Sequence, residues 1–138
     1  MVYNRRRGTA IVEFSEGILV VSQGGEYFML AGGGAHKGES RSEAAMRELQ
    51  EETGLMPLGS KYLFSYEGRV HQDFRGRGSF RDDHKVFLVK ANGTPRPQSE
   101  IKRIAFFKEG SGLKLTFSAR EIIEKFLAMK NEGFKTVI

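Results

Sequence analysis

The chain has 138 residues, 39% hydrophobic and 28% charged, which is the size and balance of one ordinary globular domain and excludes a mainly disordered chain. It contains no cysteine, so disulfide frameworks, thiolate metal sites and cysteine nucleophiles are excluded. The net charge of +5 attracts polyanions without choosing among them. No apolar run approaches the ~20 residues that span a bilayer, and the basic start Arg5-Arg6-Arg7 lacks the apolar core of a secretory signal. These features predict a cytoplasmic protein with no membrane association and a single domain over residues 1–138.

In chain order, Thr9 to Phe14 reads as a strand, followed by a Ser15-Glu16-Gly17 turn and a second strand, Ile18 to Val21. Tyr27 to Leu30 reads as a short strand running into a glycine loop, Ala31 to Gly34. A helix is expected from about Arg41 to Thr53. Ser40 and Glu43 form a Ser-x-x-Glu capping box at its start, and Gly54 readily ends it. Lys61 to Val70 reads as a strand, Phe74 to Arg81 as an Arg/Gly-rich loop, and His84 to Val89 as a strand closed by Asn92-Gly93. Ile104 to Phe107 is a further strand. The chain ends in an amphipathic helix with a second capping box, Ser118 and Glu121, and an apolar face of Ile122, Ile123, Phe126 and Leu127. Strands with two well-separated helices in this order predict an α/β fold, a mixed sheet with helices on both faces.

Charge is unevenly placed. Glu39 to Glu52 holds five acids against two arginines, and Arg69 to Lys90 holds six bases against three aspartates. On a helix advancing about 100° per residue, Glu48, Glu51 and Glu52 share one face, while Ala45, Met46 and Leu49 form an apolar stripe. Arg47 lies one turn from both Glu43 and Glu51, where it can neutralise and orient them. A solvated acidic face is the plain alternative. Against it stand the upstream glycines, which let backbone approach this face, and Glu39 at the loop–helix junction. Oxygen ligands without His or Cys favour magnesium or manganese over zinc.

The spacing Gly33-x5-Glu39-x7-Arg47-Glu48-Leu49-x-Glu51-Glu52-x-Gly54-Leu55 resembles the 23-residue box of the Nudix hydrolases at every specified position. The resemblance implies the Nudix fold and a magnesium-dependent hydrolysis of a nucleoside diphosphate linked to another group, with manganese as a substitute ion. It implies Glu51 and Glu52 as metal ligands, Glu48 as a further ligand or water activator, and Glu39 and the Gly32 carbonyl as parts of the same shell. Arg47 would hold the glutamates in place. One departure from the family is Ala31, where a proline commonly precedes the paired glycines.

Many relatives use a carboxylate far from the box as base or extra ligand. Glu100 is the first choice here, ahead of Glu109, Asp82 and Asp83. For the substrate, Arg69, Arg75, Arg77 and Arg81 interleave with Phe74 and Phe80, which suggests a basic lid whose guanidinium groups bind phosphates while a ring, Phe80 first, stacks on a base. A solvated loop is the alternative. Arg5-Arg6-Arg7 reads as a solvated terminus, and His84 as packed or rim-exposed. The proline that looks typical of ADP-ribose hydrolases is absent near Val70 and His71. Nucleoside triphosphates, including oxidised ones, are therefore favoured, with dinucleoside polyphosphates and ADP-ribose-type compounds as alternatives and a non-catalytic nucleotide- or RNA-binding module as the other class. RNA is a less favoured partner, and the protein is expected to be a monomer or homodimer.

Overall fold

The run Gly8 to Val12 alternates side chains between two apolar layers, and Thr9 to Val12 are all buried, as in an inner strand covered on both faces. The computed structural model describes residues 2–73 and 78–133. Its elements are β1 (Val2–Ile11), β2 (Glu13–Phe14), β3 (Gly17–Ser22), β4 (Tyr27–Phe28), β5 (Ala31–Gly34), α1 (Arg41–Thr53), β6 (Met56–Glu67), β7 (His71–Asp73), β8 (Gly78–Asn92), β9 (Arg103–Phe107), β10 (Lys114–Leu115) and α2 (Phe117–Asn131). The main sheet runs β5-β1-β8-β6, with β7 also paired to β8. β1 and β8 are parallel from Val2–Ser79 to Ile11–Leu88, whereas β5 and β6 run antiparallel to their neighbours. The sheet is therefore mixed. A second sheet, β2-β3-β9, and the pair β10-β4 complete the framework.

Period-two alternation sends the core to both sides of the sheet. Phe87 and Val89 face one way with Ala10, Val12 and Ala31, against Ala45 and Leu49 of α1. Val86 and Leu88 face the other way with Ile11, against Ile122, Ile123 and Phe126 of α2. Each buried Leu, Ile or Phe contributes about 1.5–3 kcal/mol relative to exposure. The expected α/β sandwich is thus formed, with the apolar face of the second helix seated as its spacing implied.

Several boundaries differ from the sequence expectation, each for a non-local reason. β1 begins at Val2 rather than Thr9 because its polar half pairs in parallel with β8, and backbone hydrogen bonding there outweighs the weak propensity of the arginine run. The same pairing draws Phe80 and Arg81 into β8. Ala31 to Gly34 is a strand rather than a loop, held by β1. α2 is capped by Thr116, whose hydroxyl accepts from the Ala119 amide at 3.3 Å, not by Ser118. Glu121 instead accepts the Tyr66 hydroxyl.

α1 crosses β1 at Gly8, where a Cβ atom would lie 2.0 Å from the Arg41 carbonyl oxygen and 2.7 Å from the Ala45 nitrogen. Both obstacles are backbone, so the layers cannot yield locally. Gly8→Ala is expected to cost about 3 kcal/mol or more, read by urea unfolding. Gly59→Ala, with nothing within 4 Å, should stay within about 0.5 kcal/mol of the parent. Equal stability of the two variants would refute this account of the α1–β1 contact.

Candidate metal centre and cavity

The carboxylate helix is fixed at both ends by local chemistry. Ser40 Oγ accepts from the Glu43 amide at 3.0 Å, and Glu43 Oε1 accepts from the Ser40 amide at 2.8 Å. At the other end Gly54 adopts φ of 75° and its N–H bonds the Gln50 carbonyl at 2.8 Å. With Ala45 and Leu49 wholly buried, the rotation of α1 is set, and Glu48 and Glu52 turn toward the glycines of β5. A Cβ on Gly33 would lie 2.3 Å from Glu48 Oε2, so a side chain there would push this carboxylate out of its place.

Arg47 holds most of the acidic shell. It donates from Nε and Nη2 to the two oxygens of Glu39 at 2.8 and 3.0 Å, from Nη1 to Glu48 at 2.7 Å, and to both oxygens of Glu51 at 3.3 Å. It also bonds the Gly34 carbonyl at 3.0 Å. The Arg47 hydrogen bonds, helped by the His36 amide, lower the pKa of Glu39 to about 2. Both Glu39 oxygens are engaged in this fork. Glu51 is half-exposed and does not line the cavity bordered by Glu48 and Glu52.

Glu52 is only 3% exposed and accepts one hydrogen bond from the Gly32 amide at 3.1 Å. Burial raises its pKa from 4.5 to about 8, with the charges of Glu48 and Glu100 adding to the effect and the Gly32 N–H and Arg7 opposing it. Glu48, Glu52 and Glu100 each bring an oxygen within 4.8 Å of the others. The loop carrying Glu100 is stitched to the end of α1 by two backbone bonds, Gln98 N–H to the Glu52 carbonyl at 3.1 Å and Arg96 N–H to the Thr53 carbonyl at 2.8 Å. Ile101, 3% exposed, anchors it. Three converging oxygen donors, one buried and without an ion pair among the described residues, suit a hard divalent ion.

The trio borders a cavity of about 450 Å³ whose lining includes Gly32. The rest of its lining includes residues that the sequence did not single out for a site, together with Asp82, which it offered as a further carboxylate. Arg5 and Arg7 of β1 line it, as do Thr9 and, from β8, Asp82 and His84. Arg5 pairs with Asp82 through Nε at 2.7 Å and Nη2 at 3.1 Å. His84 Nδ1 lies 2.8 Å from Thr9 Oγ1. Burial, with the nearby charges of Arg7 and Arg5, lowers the His84 pKa to about 4, opposed by Asp82 and Asp83. His84 is thus neutral at pH 7 and packed, as expected, yet it also borders the cavity. The missed signal was the alternation of Arg5, Arg7 and Thr9, a strand period inside a run that looked like a charged tail.

The basic lid is only partly covered by the described residues, since Phe74, Arg75 and Arg77 lie outside them. Its other members make internal contacts. The Arg69 guanidinium stacks 3.4 Å from the Phe117 ring centre, Arg81 pairs with Glu67 at 3.6 Å, and Phe80 packs beneath Arg5 and beside Tyr3 and His71. None of these three lines the cavity.

The NUDIX domain model matches residues 4–126. An ADP-ribose pyrophosphatase of Methanocaldococcus jannaschii is 32% identical over 108 residues, covering 75% of this chain and 59% of that protein, so the chain spans about three-fifths of that relative. A crystal structure from Chromobacterium violaceum, described as a nudix hydrolase family member, superposes with a TM-score of 0.76 at 37% identity over 92% of this chain and 79% of that one. The solution structure of the Escherichia coli ORF135 protein gives a TM-score of 0.73 at 23% identity over 94% and 92%, a likeness of fold. Among the described residues no helix is long and apolar enough to cross a membrane.

The raised pKa of Glu52 has a stability consequence in the metal-free protein. Because the folded value lies above 4.5, folding favours the protonated form. The benefit is complete below about pH 4.5 and disappears as the pH rises through about 8. With chelator present, Glu52→Gln should match the parent near pH 4 and exceed it by roughly 3–5 kcal/mol at pH 9. Urea unfolding at the two pH values decides this, and an equal gap at both would show that Glu52 is not desolvated.

Proposed function

The chain belongs to the Nudix family, and we propose that it hydrolyses a phosphoanhydride bond of a nucleoside diphosphate linked to another group, using magnesium held by Glu48, Glu52 and Glu100. The observation that carries this is the convergence of Glu100, from a loop some fifty residues downstream, on the two box carboxylates at the edge of one cavity. An acidic helix of purely structural character has no use for a third carboxylate delivered by a separate loop.

The bound ion would neutralise charge at phosphorus and lower the pKa of a coordinated water. The residues of the chain do the rest. Arg47 fixes Glu48 while leaving its second oxygen to the cavity side, and the Gly32 amide orients Glu52. Glu51, held by Arg47, is the carboxylate that a second ion would recruit, and the Gly32 carbonyl is the backbone donor beside the box. Glu100 is exposed and lines the cavity, and with one carboxylate oxygen on the ion its other oxygen would take the proton of the attacking water. Manganese would serve as a substitute for magnesium, given the same oxygen donors.

For the substrate, an ADP-ribose-type diphosphate is the first reading. It is supported by the name of the M. jannaschii relative, and by a cavity in which Arg5 is already paired with Asp82, leaving limited positive charge for a longer phosphate chain. A nucleoside triphosphate is the second reading, favoured by the absence of a proline near Val70 and His71.

A hydrolysis screen with chromatographic product identification tests this. Magnesium-dependent release of AMP and ribose 5-phosphate from ADP-ribose is expected, absent in Glu52→Gln. Glu100→Gln should lower kcat by roughly 10²- to 10⁴-fold, the range for a lost general base. Undiminished turnover in that variant would remove Glu100 as the base. Tight magnesium-dependent retention of nucleotides without turnover by the parent protein would instead make this a binding module.

A further inference from the structure

The three arginines near the start of β1 part between the two faces of the sheet, as a strand requires. Arg6 lies on the α1 side beside Ser40 and Arg41, while Arg5 and Arg7 line the cavity. The two cavity arginines differ in their bonding. Arg5 is committed to Asp82 in a two-point pair. Arg7 has no ion pair and no side-chain hydrogen bond among the described residues, and its Nε is buried without a partner. The neighbouring arginines contrast with it, Arg47 engaging Glu39, Glu48 and Glu51, and Arg41 engaging Asp83.

The register of Arg7 explains why its position matters. Its Cα is opposite Gly34 of β5 on one side and His84 of β8 on the other. It therefore stands between the glycine edge that receives Glu48 and Glu52 and the wall formed by His84 and Asp82. Its charge acts on Glu52, Asp82 and His84, yet none of them closes a hydrogen bond with it. A partly buried guanidinium without an anionic partner is an unfavourable arrangement for the empty protein. Its planar fork of donors matches two phosphate oxygens at once.

We propose that Arg7 binds non-bridging oxygens of the substrate diphosphate in the cavity that it lines together with Glu48, Glu52 and Glu100, and so positions the diphosphate against the metal-bearing carboxylates. This rests on the reading of the cavity as a nucleoside diphosphate site. It assigns to a residue outside the box, in a stretch resembling a charged tail, the grip that the metal centre alone does not supply.

The test compares the parent, Arg7→Gln and Arg7→Lys in three measurements. The first is calorimetric binding of α,β-methylene-ADP, a non-hydrolysable diphosphate, with magnesium present. Arg7→Gln should weaken it roughly 10- to 100-fold, the worth of a charged hydrogen-bonded contact, with partial rescue in Arg7→Lys, which offers a point charge but no fork. The second is manganese binding without nucleotide, which should not weaken in either variant because Arg7 is not a ligand. The third, on whichever substrate is turned over, is a rise in KM larger than the fall in kcat. Thermal unfolding checks the fold, and Arg7→Met replaces Arg7→Gln if the latter does not fold. Unchanged analogue affinity in the Gln or Met variant overturns the proposal, as does failure of the parent to bind the analogue. If the parent binds the analogue through Arg7 but hydrolyses nothing, the proposal stands and the hydrolase reading falls.

Discussion

Glu52 keeps one hydrogen bond, from the Gly32 amide at 3.1 Å, while almost its whole surface is withdrawn from water. A lone carboxylate in such a place is unfavourable when charged, and the surroundings of this side chain follow from tolerating it. The strand beside it carries Gly32, whose φ of 150° and 2.4 Å approach of a Cβ to the Gly8 carbonyl require glycine, and Gly33, which lies against Glu48. The helix must end at Thr53, so that the free carbonyls of Glu52 and Thr53 can take the amides of Gln98 and Arg96. Those two bonds bring Glu100 to the site. The end of a helix is used here as a connector, and its unsatisfied carbonyls are what join a distant loop to the carboxylates.

Positive charge is allotted selectively. Arg47 serves Glu39, Glu48 and Glu51, and among the described residues Glu52 and Glu100 have no ion pair. Had one more arginine or lysine faced the trio, the metal-free protein would be more stable and the site less ready for a divalent ion, since the added charge would compete with it. The same division appears among the other charged residues of the cavity, where Asp82 holds Arg5 and leaves Arg7 open. Both groups of residues thus combine ion pairs that fix geometry, Arg47 with its three carboxylates and Arg5 with Asp82, with groups outside those pairs, Glu52 and Glu100 in one and Arg7 in the other, which suit ligands of opposite sign. Stability is lowered at the positions that face the cavity.

How legible this was depended on the range of the interactions. The box helix was readable because its signals are local: the capping box, the Gly54 stop and the apolar stripe lie within one or two turns of what they control. Both helix–sheet layers followed from the same short periods. Glu100 was named from the resemblance to relatives, and the structure brings it to Glu48 and Glu52. Arg5 and Arg7 were misjudged because their strand depends on pairing with β8, more than seventy residues away, and at Arg7 with β5 as well, and a run of three arginines shows no hydrophobic alternation to betray it. The Thr116 cap was missed for a smaller reason. Ser118 and Glu121 have capping-box spacing, but Thr116 N–H bonds the Phe28 carbonyl, which sets the helix start two residues earlier.

The parallel pairing of β1 with β8 is also what gives the cavity its second wall. Its register sets Arg7 beside His84 and Arg5 beside Asp82, with Thr9 bonded diagonally to His84, so the polar ends of two inner strands form a ladder that continues the apolar face of Ile11, Val86 and Leu88 into the cavity. Along that one face the environment grades from dry core through the buried neutral His84 to the charged Arg5–Asp82 pair. A ligand with an apolar or aromatic part and an anionic part meets matching surfaces in that order, with the carboxylate trio reaching it from the β5 edge. The sheet does not merely support the box helix. By carrying two strands beyond the core it supplies a positively charged counterpart to the carboxylates, and the site is made where the two meet.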